Sequence, residues 1–172
     1  MTDLPAGAPR KRSFPPIVDA RSQILVLGTL PGEESLRRRQ YYAHPRNLFW
    51  PLVFALFGEN PAAEYDARLA FARRCGIALW DVCAVGARLA SADATIRAEE
   101  PNAIAELLDT HPGIRTVAFN GSTARRLHDR YFQRRDALAY LALPSTSPAH
   151  ARLRFDDKLD AWRQLRAALQ SR

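Results

Sequence analysis

Lysine and cysteine are scarce in this 172-residue chain, and long apolar runs are missing altogether. Cys75 and Cys83 are the only cysteines, too few for a disulfide framework or a four-thiolate iron–sulfur cluster, so both read as reduced, packed thiols of an intracellular protein. No apolar run reaches membrane-spanning length. The start of the chain, with Pro5, Pro9, Arg10, Lys11, Arg12, Pro15 and Pro16, lacks the apolar middle of a secretion signal. Residues 1–16 are therefore expected to form a flexible basic tail, and the expected location is the cytoplasm. There is no G-x-G-x-x-G, no G-K-[ST] phosphate loop and no G-x-S-x-G elbow, which removes support for a nucleotide cofactor and for a serine hydrolase. His44, His111, His128 and His150 are scattered and match no zinc spacing. Neither cofactor nor metal is expected.

What is present points to one compact domain over residues 17–172: 47% hydrophobic composition, spread in regular runs, can bury a real core at this length. The formal net charge is +7, and all 25 basic residues except Lys11 and Lys158 are arginine. Arginine forks onto phosphate and stacks on bases, so a nucleic-acid partner is one reading; codon composition with solvated surface arginines is the other. No membrane partner is expected, and the chain reads as a monomer.

Four short aliphatic runs have strand length: Ile24 to Leu27, Ile77 to Val82, Ile114 to Phe119 and Leu138 to Leu143. Helical patterns lie between and after them, at Pro51 to Phe57, Ala62 to Cys75, Pro101 to Leu108, Ser122 to Phe132 and Asp156 to Gln170. Pro51 and Pro101 suit first helical positions, while Gly58 and Gly76 suit C-terminal stops. Strands alternating with helices predict an α/β fold, a three-layer α/β/α sandwich on a mostly parallel sheet. Functional residues then belong just past the carboxyl ends of the strands. Those segments are Thr29 to Ser35, Asp81 to Val85, Asn120 to Thr123 and Pro144 to His150.

The richest of the loops is Gly28 to Trp50. Backbone N–H groups of Gly28-Thr29-Leu30-Pro31-Gly32 can line a small pocket. Tyr41, Tyr42, His44, Arg46, Asn47, Phe49 and Trp50 combine stacking surfaces with polar groups, which is how unpaired bases are held; the alternative puts Phe49 and Trp50 in the core. With Pro51 as the first helical residue, Asn47 lies upstream of the cap and can point into a cleft. Asn120 either caps a helix or lines the pocket. Asp81 either accepts a hydrogen bond from a base edge or caps a loop.

These residues resemble the uracil-DNA glycosylase superfamily, most closely its hypoxanthine-DNA (deoxyinosine) glycosylase branch. The matching segments are G-T-L-P-G-E-E-S-L at 28–36, Q-Y-Y-A-H-P-R-N-L-F-W at 40–50, G-I-A-L-W-D-V at 76–82, S-A-D-A-T-I at 91–96, F-N-G at 119–121 and L-P-S-T-S-P-A-H at 143–150. The resemblance implies a four-stranded parallel sheet, a DNA partner, a pocket for a flipped nucleotide, and no cofactor or metal. It implies that Asn47 is catalytic and orients the hydrolytic water. Gly28, Thr29, Leu30, Tyr42, Phe49, Asp81 and Asn120 are then the candidate base contacts. His44, Arg46, Ser145, Thr146, Ser147, Pro148 and His150 are the candidate DNA contacts.

Two departures bear on activity. Other branches carry a water-activating Asp or Asn in the first motif, where this chain has Thr29 and Leu30. The uracil-specific branch has a histidine where Leu143 stands, and leucine cannot donate a hydrogen bond. The expected function is excision of a deaminated base, hypoxanthine first and xanthine or uracil after it. The alternatives are a uracil- or mismatch-specific glycosylase, a non-catalytic nucleic-acid-binding α/β module, and a small-molecule hydrolase on the same sheet.

Overall fold

The computed structural model describes residues 9–87, 93 and 96–170. Its elements in chain order are β1 (Arg10–Arg12), β2 (Ile24–Gly28), α1 (Glu33–Arg38), α2 (Phe49–Leu56), α3 (Tyr65–Arg74), β3 (Ile77–Asp81), β4 (Cys83–Ala87), β5 (Arg97–Pro101), α4 (Ile104–Thr110), β6 (Thr116–Asn120), α5 (Ser122–Tyr131), β7 (Ala139–Leu143) and α6 (Phe155–Gln170).

The four apolar runs become a parallel sheet in the order β3-β2-β6-β7. Every residue of β2, β3 and β6 is buried, the mark of strands covered on both faces. Side chains of β2 alternate between two cores. Ile24 and Val26 join Phe49, Trp50, Phe71 and Trp162 beneath α2, α3 and α6. Leu25 and Leu27 join Ile104, Leu107, Leu108 and Leu127 beneath α4 and α5. The expected three layers and four parallel strands are therefore present.

A second sheet, antiparallel and ordered β1-β4-β5, was not expected. Within the segment 1–16 read as a flexible tail, it corrects residues 10–12, because Arg10, Lys11 and Arg12 pair with Ala87, Gly86 and Val85; residues 1–8 lie outside the described residues. Beyond β1, Ser13 N–H donates to the Ala84 carbonyl (2.8 Å), Trp80 Nε1 donates to the Phe14 carbonyl (3.0 Å), and Ile17 bridges Leu79. Pro101 is likewise not the first residue of α4 but the last of β5. As an edge strand, β5 tolerates a residue with no N–H. Pro51 is the third residue of α2 rather than its first, still within the turn whose N–H groups have no helical partner.

Register sets the site. Gly28 pairs with Asp81 and Asn120 with Leu143, so all four strands end in one row.

Candidate active site

Segments leaving that row enclose a cavity of about 110 Å³. Gly28 ends β2 and Thr29 through Gly32 follow it, Asp81 ends β3, Asn120 ends β6, and Ser145 through Pro148 follow β7. The turn before α2 adds Tyr41, Tyr42, His44 and Asn47, and Asp93 completes the wall. Of the expected base contacts and catalytic group, Gly28, Thr29, Leu30, Tyr42, Asn47, Asp81 and Asn120 all line the cavity. Phe49 does not. It is fully buried and stacks behind Tyr42 with ring centroids 3.9 Å apart, so its ring supports the wall and cannot meet a base.

Tyr42 is held in an unusual state. Its φ is +55°, a left-handed conformation that costs a non-glycine residue on the order of 1–3 kcal/mol. Its hydroxyl is buried and meets no hydrogen-bond partner among the described residues. Burial first, then the nearby Asp81 carboxylate, push the phenol above its ordinary value, so it stays protonated. Asp81 is 4% exposed, and its Oδ2 accepts from Ser13 Oγ at 2.8 Å. The two groups converge on Gly28: a Cβ there would lie 2.7 Å from Asp81 Oδ1 and 3.3 Å from Tyr42 Oη. Glycine is required by this close approach, not by its φ.

Asn47 both lines the cavity and holds a helix end. Its Oδ1 accepts the Phe49 N–H at 2.9 Å. Because α2 begins two residues before Pro51, with Leu48 as its cap, Asn47 stands one residue upstream of the cap rather than three. This bond fixes the orientation of the amide.

Asn120 neither caps α5 nor presents a free amide. Its Nδ2 donates to Thr146 Oγ1 and its Oδ1 accepts the Thr146 N–H, both at 2.9 Å. Thr146 also accepts the Leu48 N–H on its carbonyl, at 3.0 Å. Thr146 is therefore a buried clamp between three loops, 1% exposed, and the expected DNA contact is corrected at that position. The Gly121 backbone, with φ of +100°, lets this loop approach so closely that a Cβ would touch Ser145 Cβ at 3.0 Å. His44, Ser145, Ser147 and Pro148 line the cavity, Arg46 is exposed beside it, and His150 lies in an adjoining groove with Arg152 and Leu153.

A uracil DNA glycosylase superfamily model matches residues 15–166, nearly the whole described chain. The protein belongs to the uracil-DNA glycosylase superfamily. Within it, two curated relatives are both named hypoxanthine DNA glycosylase. The one from Methanosarcina barkeri is 42% identical over 113 residues, spanning 65% of this chain and 72% of the relative. The one from Methanosarcina acetivorans is 42% identical over 115 residues, spanning 66% and 73%. A solution NMR structure of a candidate uracil DNA glycosylase from Methanosarcina acetivorans superposes with a TM-score of 0.78 at 34% identity, covering 94% of this chain and 99% of that one.

Three residues of this superfamily member's site were not assigned roles from sequence. Ser13 orients Asp81 from the N-terminal strap. Asp93 takes the Thr29 hydroxyl on its Oδ1 at 2.7 Å; its neighbours 91, 92, 94 and 95 in the S-A-D-A-T-I segment lie outside the described residues. Lys158 is 2% exposed in α6, and its Nζ donates to the Ser145 and His150 carbonyls at 2.8 Å each, bracing the last loop. Desolvation lowers its pKa. A signal for Lys158 existed, since it falls among Phe155, Leu159, Trp162 and Leu165 on the apolar face of α6. Among the described residues no group of three His, Cys, Asp or Glu could hold a metal ion, and no helix is long and apolar enough to cross a membrane.

Proposed function

We propose that this protein is a monofunctional DNA glycosylase that swings a deaminated base out of the duplex, hypoxanthine first among them, and releases it by hydrolysis. The observation that carries the reading is the Asp81 and Tyr42 pair converging on Gly28. A carboxylate accepts and a protonated phenol donates, so together they complement a ring N–H beside a carbonyl oxygen. Hypoxanthine offers N1–H beside O6, and xanthine and uracil offer the same pattern. Adenine and cytosine offer a bare ring nitrogen beside an amino group, which leaves both protein groups wrongly paired. Deamination converts the second pattern into the first. Guanine and thymine share the oxo edge, and their firmer pairing in the duplex supplies the remaining selection.

Two findings favour hypoxanthine over uracil: the names of the two curated relatives, and the buried Leu143 at the end of β7, which cannot donate to a leaving base. In the reaction, Asn47 orients a water beneath C1′ through its fixed amide. Positive charge grows on the sugar and negative charge on the base, so a placed water and donors to the base lower the barrier. His44, Arg46, Ser145, Ser147, Pro148 and His150 surround the mouth and are assigned to the DNA strand. The protein acts on DNA in the cytoplasm as a monomer, which light scattering of the purified chain tests.

Duplexes carrying a single deoxyinosine, deoxyxanthosine, deoxyuridine or deoxyadenosine, incubated with the protein and cleaved with alkali at abasic sites, test the function. Strand scission is expected at the first three, fastest at deoxyinosine, and none at deoxyadenosine. Scission at none of the three lesions, or equal scission at deoxyadenosine, refutes it.

A further inference from the structure

Hydrolysis of a base–sugar bond releases a proton from the attacking water, and a carboxylate beside that water speeds the step by taking it. Asn47 cannot be that group, because an amide oxygen is a very weak base and this one already accepts the Phe49 N–H. Three carboxylates line the cavity among the described residues: Glu34, Asp81 and Asp93. Glu34 is bound by the guanidinium groups of Arg37 (2.6 Å) and Arg38, an environment that holds it down to about 2 and ties up its oxygens. Asp81 accepts from Ser13 on one oxygen and packs its other against Gly28 beside Tyr42, where it faces the base edge.

Asp93 lines the same cavity beside Thr29. Its Oδ1 is pinned by the hydroxyl of Thr29, a residue 5% exposed and one step beyond Gly28 at the end of β2. That is where the first motif has only Thr29 and Leu30, a hydroxyl and an alkyl group, neither of which can accept a proton at neutral pH. The carboxylate missing from the strand end in sequence is thus delivered there from 64 residues away.

We propose that Asp93 is a catalytic residue, the proton acceptor for the hydrolytic water, with Thr29 as the positioning residue that holds its carboxylate at the cavity wall. The inference rests on the glycosylase reading above. As the water oxygen bonds to C1′, its proton passes to the Asp93 carboxylate. The C1′ to base-nitrogen bond breaks, and its electron pair leaves with the base, which is protonated from solvent. Asp93 returns its proton to solvent after release. Asn47 orients the water and Asp93 takes its proton.

Single-turnover base release from a deoxyinosine duplex, measured beside affinity for the same duplex, tests this with Asp93→Asn, Asp93→Glu and Thr29→Val. Asparagine keeps an acceptor for the Thr29 hydroxyl, and thermal melting of Asp93→Asn reads any structural contribution separately from the rate. The expected result is a rate loss of about 10²- to 10⁴-fold, with affinity within about threefold of wild type. Asp93→Glu is expected to recover a large part of the rate, and Thr29→Val to slow it by about tenfold. Should Asp93→Asn work within about threefold of wild type, or should lost affinity account for its slower release, the proposal is overturned while the glycosylase reading stands. A wild-type protein that releases none of the three deaminated bases overturns both. If Asp93→Asn does not fold, Thr29→Val decides: an unchanged rate in that variant refutes the assignment.

Discussion

Adding one methyl group at Gly28 is the sharpest perturbation of the corner proposed to receive the base. The Cβ of Gly28→Ala would sit 2.7 Å from Asp81 Oδ1, roughly 0.8 Å inside the usual carbon contact distance. Asp81 cannot simply swing aside, because Ser13 holds its Oδ2 at 2.8 Å and the carboxylate is 4% exposed. The backbone at Gly28 is ordinary strand, so alanine brings no conformational strain of its own. Relief therefore comes from shifting Asp81 and breaking or stretching its bond to Ser13, at a stability cost of about 1–3 kcal/mol for overpacking. A displacement of that size at a reacting geometry costs on the order of 10²-fold in rate. Calorimetric melting and single-turnover release of hypoxanthine read the two effects separately. A folded Gly28→Ala protein that excises hypoxanthine at the wild-type rate would refute the assignment of this corner to the base.

Asn47→Ala is expected to lower hypoxanthine release by at least about 10²-fold and, because its Oδ1 takes the N–H of the first residue of α2, to cost about 1 kcal/mol in urea unfolding. Thr146→Val removes the acceptor for Asn120 Nδ2 and leaves a buried amide hydrogen unpaired, a cost of about 1–3 kcal/mol; a double-mutant cycle with Asn120→Ala should give coupling near 1 kcal/mol. Burial holds the His128 imidazole below its ordinary 6.5, against the opposing pull of Asp129. As pH falls through 6.5 the unfolded chain therefore binds this proton first, and stability declines by up to about 1.4 kcal/mol per pH unit. His128→Phe, filling the same space beside Phe119, Phe132 and Tyr140, should flatten that part of the melting-temperature profile between pH 5 and 7.

The three layers were legible because β2, β3 and β6 are buried on both faces and read as unbroken apolar runs, and because α6 carries its stripe of Leu159, Trp162, Leu165 and Leu169 in plain view. The antiparallel sheet was not, since β1 is R-K-R and β5 is R-A-E-E-P, edge strands defined by backbone pairing with no apolar pattern to betray them. Most of the cavity wall followed from one rule, that parallel strands deliver their carboxyl ends to one row. What no local pattern carries is pairing across distance. The Asn120–Thr146 clamp joins residues 26 apart, the Ser13–Asp81 bond residues 68 apart, and each converts an expected ligand contact or an expected tail into support for the site. Phe49 was read both as a core residue and as a base contact, and the core reading holds: an aromatic beside a loop reads alike whether it faces a cavity or backs the ring that does.

Under the proposed function, the hollow between Asp81, Tyr42 and Asn47 receives an oxo base. A crystal structure of Asn47→Ala bound to a duplex with one deoxyinosine shows whether it does. Hypoxanthine is expected out of the helix, its N1–H on Asp81 and its O6 on Tyr42 Oη. Hypoxanthine still stacked in the duplex, or seated in another groove with this corner empty, would contradict it.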